Sequence, residues 1–116
     1  MPFLALDLLV LPKNIKVIAE PGRFLVAEAG CLIAQVINTA RRDSGRWVYL
    51  DVGMFGGILE ISQGLPYVMY AESSGDLVPW TIAGPTCDAI DVLPRQQLLP
   101  ENIKTGDFVH ILNAGA

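Results

Sequence analysis

The sequence has little of what disulfide-bonded or nucleic-acid-binding proteins contain. Only two cysteines, Cys31 and Cys87, occur in 116 residues. No disulfide framework is therefore expected, and a reduced, cytoplasmic chain is predicted. Eight basic residues stand against twelve acidic ones, giving a net charge of −4. This balance disfavours nucleic acid and anionic membrane as partners, because both require clustered Lys or Arg.

Long uninterrupted hydrophobic runs are also missing. The longest apolar stretch, residues 24–37, carries Glu28 and Gln35, and the amino-terminal run is broken by Asp7 and Pro12. Neither reaches the roughly 18 apolar residues of a membrane-spanning helix, and no signal-peptide pattern is recognisable. Yet 52% of the residues are hydrophobic and only 17% are charged, a surplus that indicates surfaces covered by a partner.

The first forty residues suggest helices around a strand. An apolar stripe over residues 3–11 fits a short helix that Pro12 would end. The β-branched run at residues 15–19 predicts a buried strand, which must pair with strands outside this stretch to satisfy its hydrogen bonds or else be left exposed. A helix is predicted from Phe24 to about Asn38, and residues 41–45 predict a polar turn.

Short strands separated by Gly, Pro and Ser are predicted after that turn, at residues 47–52, 67–72, 78–83 and 108–112, with a polar connector at 98–107. The fold class is therefore α+β and mostly β. The predicted division separates residues 1–40 from a β domain at 41–116.

Glu20-Pro21-Gly22-Arg23 lies between the predicted strand and helix. Open N–H groups at such a junction attract an anion, Gly22 would allow a phosphate to approach the backbone, and Arg23 could bind it in bidentate fashion. The alternative is a Pro-Gly turn between two solvated charges.

Gly84-Pro85-Thr86-Cys87-Asp88 follows the predicted strand 78–83 and would present Cys87 at a strand end. The alternative is a small buried cysteine beside a capping aspartate. The single histidine, His110, lies in the last predicted strand, so a conventional Cys-His nucleophile is disfavoured.

Together these two motifs resemble the carboxy-terminal part of the pyridoxal-phosphate-dependent basic amino-acid decarboxylases, the ornithine, lysine, arginine and diaminopimelate decarboxylase family. The resemblance extends from Lys16 to Ala116. It implies that residues 1–40 are the last strand and helix of an α/β barrel and that residues 41–116 form most of a Greek-key-like β-barrel domain. It also implies a partner, the barrel of the same protein, which would carry the Schiff-base lysine.

The resemblance implies roles for single residues as well. Glu20 would pair with the pyridine nitrogen of pyridoxal phosphate, while Gly22 and Arg23 would hold its phosphate. Cys87 would donate a proton to the reacting carbon, and Asp88 would contact the distal amine of the substrate. Because this loop reaches a neighbouring subunit in the family, a homodimer with sites at the interface is implied.

The substrate stays open on the sequence alone. Asp88 favours a basic substrate, whereas diaminopimelate decarboxylases resemble this loop but carry Glu there. Residues 61–64, Ile-Ser-Gln-Gly, lack the acid that bacterial ornithine-type enzymes tend to have, with Glu60 as the only nearby acid. Alternatives are a diaminopimelate or carboxylated-polyamine substrate, a non-catalytic regulatory homologue, or a free-standing β-barrel module with accidental motifs. The isolated chain is expected to be inactive.

Overall fold

A computed structural model describes Pro12, residues 14–94 and residues 96–115. The helix predicted at residues 3–11 lies outside the described residues. The described part is mostly β, with one helical turn, α1, and several short 3-10 helices. The strands are β1 Cys31–Arg42, β2 Gly45–Leu50, β3 Met69–Ala71, β4 Leu77–Ala83, β5 Gln97–Pro100 and β6 Phe108–Leu112; α1 is Arg23–Val26, and the 3-10 helices are Ala27–Ala29, Met54–Gly56, Leu59–Gln63 and Ala89–Asp91.

The six strands form one sheet in the order β3-β6-β1-β2-β4-β5. Neighbouring strands are antiparallel except β2 and β4, which are parallel. The edge strands β3 and β5 also lie close to each other, which nearly closes the sheet into a barrel. This confirms the predicted, mostly β fold class with a barrel-like domain.

The helix predicted from Phe24 to Asn38 is wrong over most of its length, because β1 occupies residues 31–42. Ala34 and Val36 are buried while Ile33, Gln35 and Ile37 between and beside them are exposed, the period of two that a strand requires. The amino-terminal half of β1 pairs with β6 and its carboxy-terminal half pairs with β2. Two partner strands therefore outweigh the helix propensity of its Ala and Leu residues.

The strand predicted at residues 15–19 is also wrong, since no strand is present within residues 14–30. Ile15, Val17 and Ile18 are exposed, Ile18 by 72%. A single β-branched segment forms a strand only when a neighbour accepts its hydrogen bonds. Nothing in the described sheet pairs with it.

The later strand predictions were largely correct. The predicted strands at residues 47–52, 67–72, 78–83 and 108–112 overlap β2, β3, β4 and β6, and the last matches in both bounds. The polar turn is confirmed at Asp43 and Ser44, although Arg41 and Arg42 belong to β1 and Gly45 begins β2. β5 was missed, because residues 98–107 were assigned to a connector. Its Leu99 is fully buried against the core.

One hydrophobic core fills the inner face of the sheet. Inward side chains of β1, β2, β4, β5 and β6 meet there, and residues of the two 3-10 helices after β2 join them. Its largest fully buried side chains are Val36, Val48, Leu50, Ile58, Ile82, Leu99, Val109 and Ile111. None of the helices in the described part of the chain has the length and apolar character needed to cross a bilayer.

Candidate functional site

Glu20, Pro21 and Gly22 lie on an exposed segment without regular secondary structure, and Arg23 is the first residue of α1. Gly22 precedes the helix, and a Cβ at this position would meet no atom within 4 Å. Packing inside the described chain therefore does not explain glycine here. Arg23 is the only one of the four residues whose side chain is partly covered.

Arg23 is held by two residues of the sheet region. Its guanidinium lies 3.1 Å from Oε1 of Glu60 and donates a hydrogen bond of 3.1 Å to the hydroxyl of Tyr67. The Tyr67 hydroxyl donates in turn to Oε2 of Glu60 at 3.2 Å. These three side chains form a closed cluster that joins α1 to the 3-10 helix 59–63 and to the segment before β3.

The protonation of this cluster follows from its contacts. The backbone N–H of Glu60 lowers the pKa of its own carboxyl, and the Tyr67 hydroxyl and Arg23 guanidinium lower it further, against the opposing effect of burial. Burial raises the pKa of Tyr67, and the Glu60 charge adds to that effect. Glu60 is therefore ionised and Tyr67 neutral near pH 7, so that one negative charge offsets the charge of Arg23.

Cys87 and Asp88 lie at the exposed tip of a loop, residues 84–91, that leaves β4. Cys87 has φ of 60°, a left-handed conformation that residues with a Cβ adopt infrequently. Asp88 caps the 3-10 helix 89–91 by accepting the backbone N–H of Ile90 at 2.9 Å. The capping alternative for Asp88 is thus confirmed, whereas Cys87 is exposed and not buried.

A buried acid inside the same loop was missed at the level of sequence. Asp91 is only 1% exposed. Its Oδ1 accepts the backbone N–H of Met54 at 2.7 Å, and its Oδ2 accepts the backbone N–H and the hydroxyl of Thr86 at 3.0 and 2.6 Å. Burial raises the pKa of Asp91, but the Thr86 and Met54 hydrogen bonds outweigh it, so that the pKa lies below its ordinary value.

A cleft of about 690 Å³ lies beside this loop. Cys87 and Asp88 form part of its lining, together with residues of β1 and β2 that include Asn38, Arg42 and Tyr49. The Arg42 guanidinium lies over the rings of Trp47 and Tyr49, at 4.6 and 5.7 Å from their centroids. The cleft thus combines an acid, a thiol and a cation.

The structure does not bring the two predicted motifs together within one chain. In residues 14–94 and 96–115, no hydrogen bond or ion pair joins the Glu20–Arg23 segment to the Cys87 loop. His110 is also engaged elsewhere: it stacks on Tyr70 at 4.6 Å and lies 3.9 Å from Glu72.

Asp51 and the Ser62–Gln63 stretch have structural roles. The backbone groups of Asp51 and Gln35 are joined at 3.0 Å, and the Asp51 carboxylate accepts the Gln35 N–H at 2.8 Å. These two bonds join β1 to the turn that follows β2. Ser62 and Gln63 are exposed on their 3-10 helix, where the Ser62 hydroxyl donates to the Leu59 carbonyl at 2.6 Å.

Comparison with known proteins identifies a family model that matches residues 7–115, described as the C-terminal sheet domain of pyridoxal-dependent decarboxylases. A lysine/ornithine decarboxylase of Selenomonas ruminantium is 37% identical over 98 residues, covering 84% of this chain and 25% of that protein. A diaminopimelate decarboxylase of Helicobacter pylori is 31% identical over 106 residues, covering 89% of this chain and 26% of that protein.

A solved structure is similar over most of the chain. The lysine/ornithine decarboxylase of Vibrio vulnificus, crystallised with cadaverine, superimposes with a TM-score of 0.78 at 37% identity. The match covers 92% of this chain and 30% of that one. The chain thus spans about a quarter to a third of the length of the relatives it matches.

Proposed function

The chain belongs to the pyridoxal-dependent decarboxylase family as its C-terminal sheet domain, and on this premise we propose that it is part of an enzyme that decarboxylates a basic amino acid. Lysine or ornithine is the proposed substrate, and the products are CO2 and a diamine. One observation carries the choice: the Asp88 carboxylate is exposed next to the Cys87 thiol at the tip of one loop. An acceptor for a cationic amine and a proton donor are thus adjacent.

In this proposal Asp88 recognises the distal ammonium of the substrate. Its Oδ1 accepts one hydrogen bond, from Ile90. An ionised carboxylate has two oxygens and about four acceptor positions, so capping leaves capacity for a substrate amine. Cys87 supplies a proton to the substrate carbon that has lost CO2, and its exposure at the loop tip is consistent with that task.

Pyridoxal phosphate is the proposed cofactor, and the chemistry of the donor set fits it. Gly22 and Arg23 would bind the phosphate. Both terminal nitrogens of Arg23 have a described contact, to Tyr67 and Glu60, but the guanidinium has five N–H donors and so has further ones for a phosphate. Glu20 would pair with the protonated ring nitrogen. When bound, the cofactor supplies the electron sink for loss of CO2. The lysine that anchors it covalently is proposed to belong to the barrel region, so that the 116-residue chain alone is inactive.

A second copy of the protein is part of the proposal. The Glu20–Arg23 segment and the Cys87 loop share no described bond within the chain, and this supports a site in which one subunit contributes the first and its partner the second. The division between barrel and sheet domain was expected at residue 41. We propose it near Gly30 instead, because β1 runs from Cys31 to Arg42 as one strand.

The test is CO2 release by the full-length enzyme with pyridoxal phosphate, offered lysine, ornithine, arginine and diaminopimelate in turn. We expect release from lysine or ornithine, with less diamine from the Cys87→Ala variant. Release from diaminopimelate alone would favour the second candidate, which the H. pylori relative and the absence of an acid at Ser62 and Gln63 support. Release from none of the four would reject lysine and ornithine as substrates and favour either a carboxylated-polyamine substrate or a regulatory homologue.

A further inference from the structure

Asp91 is buried within the loop that carries Cys87, where an ionised group is costly unless it is fully hydrogen-bonded. Its three described hydrogen bonds come from the uncharged donors of Met54 and Thr86. A carboxylate, unlike a carboxamide, accepts through both oxygens at once. The contacts therefore require an aspartate at this position and not merely a side chain of its size.

The two glycines packed on this carboxylate show how closely the loop is fitted around it. A Cβ at Gly53 or at Gly84 would overlap the carboxylate oxygens of Asp91. The loop is also closed at its base, because the Gly84 N–H donates to the Asp91 carbonyl at 2.8 Å. Asp91 thus links the start of the loop, its own end and the turn at residues 53–54.

Thr86 transmits this arrangement to the loop tip. Both the N–H and the hydroxyl of Thr86 are bound to Asp91, and the next residue is Cys87 with φ of 60°. The hydroxyl also accepts the Asp88 N–H at 3.4 Å. Fixing Thr86 therefore restricts the backbone directions from which the Cys87 thiol and the Asp88 carboxylate project.

We propose that Asp91 is a positioning residue that, through Thr86, holds Cys87 where its proton reaches the substrate carbon. The inference rests on the proposed function, in which Cys87 is the proton donor. It goes further, because it gives Asp91, a buried acid that contacts neither substrate nor cofactor, the task of placing the proton donor. A misplacement of about 1 Å in a reacting group costs on the order of a hundredfold in rate, so loosening the loop should affect proton delivery strongly.

The experiment uses the full-length enzyme loaded with pyridoxal phosphate, and it measures the diamine formed per CO2 released. Asp91→Asn keeps the size of the side chain and removes one acceptor. Thr86→Val removes the hydroxyl but keeps the backbone N–H, and Thr86→Ser restores the hydroxyl. Asp107→Asn is the matched control, since Asp107 accepts from the Ser73 hydroxyl and the Lys104 N–H at the turn before β6.

Alkylation by iodoacetamide, followed by peptide mass spectrometry, provides a readout independent of turnover. Cys31 is exposed on β1, outside the loop, and its alkylation rate is the internal reference. We expect Asp91→Asn and Thr86→Val to lower the diamine-to-CO2 ratio about tenfold and to change the Cys87 rate relative to Cys31. Thr86→Ser and Asp107→Asn should stay within about twofold of wild type.

If Cys87→Ala lowers the ratio but Asp91→Asn and Thr86→Val behave like Asp107→Asn, the positioning role is overturned while the proposed function stands. If Cys87→Ala itself leaves the diamine-to-CO2 ratio and the rate of CO2 release unchanged, the role of Cys87 fails, and the inference fails with it. Should Asp91→Asn not fold, the comparison of Thr86→Val with Thr86→Ser decides alone, and equal behaviour of these two variants overturns the inference.

Discussion

The carboxylate of Asp91 accepts the backbone N–H of Met54 at 2.7 Å, although 37 positions separate the two residues. This bond attaches the loop of Cys87 to the turn that follows β2. β2 and β4 are already paired as parallel strands. The loop is therefore tied to a neighbouring connection as well as to its own strand, and its conformation depends on one ionised side chain.

The stabilising effect of Asp91 should depend on pH. Because the folded chain lowers the pKa of Asp91 below its ordinary 3.8, the contribution is fully present above pH 3.8 and is lost as the pH falls through the folded-state pKa. We expect the wild-type chain to exceed Asp91→Asn by about 2 kcal/mol in free energy of unfolding at pH 7. Urea denaturation between pH 7 and pH 3 should show this difference shrinking toward the acid end. A difference independent of pH would contradict the prediction.

Gly53 should not tolerate a methyl group. Gly53→Ala would drive a Cβ into the Asp91 carboxylate and close to the backbone of Gly84. Overpacking of a close-fitted site costs about 1–3 kcal/mol, so we expect a loss of that size in the free energy of unfolding. Gly22→Ala is the control, because the space around that position is open, and its cost should stay below about 1 kcal/mol. Equal losses in both variants would contradict the prediction, because the contact with Asp91 exists only at Gly53.

We expect Glu60 to weaken the binding of an anion by Arg23. Glu60→Gln keeps an oxygen to accept from Arg23 but removes the negative charge beside the proposed phosphate site. We expect the full-length apoenzyme to bind pyridoxal phosphate about threefold more tightly in this variant, measured by fluorescence titration. Glu101→Gln is the control, since Glu101 pairs with Arg46 at 2.6 Å through a separate cluster. Weaker binding by Glu60→Gln would mean that Glu60 chiefly orients Arg23.

The sequence predicted those parts of the fold that local pattern determines. β4 and β6 are apolar runs bounded by Gly, Asp or Pro, and they were recognised almost to the residue. β1 was not, because its Ala and Leu favour a helix and only its pairing with β2 and β6 selects the strand. The error at residues 15–19 is the reverse. The local pattern there is β-like, but no described strand lies beside it to pair with it.

Cys87 and Asp88 were found in the sequence because they follow Gly-Pro in a recognisable loop. Asp91 was not, because its partners Met54 and Thr86 are brought together only by the parallel pairing of β2 with β4. The sequence nevertheless contained one indirect sign of this site. Gly53 lacks a side chain, and this leaves room for the Asp91 carboxylate. The Glu60 and Tyr67 contacts of Arg23 had no counterpart in any local pattern.

Asp88 offers a test in which capping and substrate recognition separate. Asn caps a helix as well as Asp does, so Asp88→Asn should keep the bond from the Ile90 N–H and the shape of the loop. It removes the charge proposed to receive a substrate ammonium. Since a hydrogen bond to a charged group contributes about 1.5–3 kcal/mol, we expect kcat/KM for lysine or ornithine to fall about 10- to 100-fold.

Affinity for pyridoxal phosphate and the free energy of unfolding should not change, because Asp88 contacts neither the proposed phosphate site nor the core. Steady-state kinetics of the full-length enzyme measure the first quantity, and cofactor titration and urea denaturation measure the other two. An unchanged kcat/KM would leave Asp88 as a cap alone and would remove the observation on which the basic substrate was chosen.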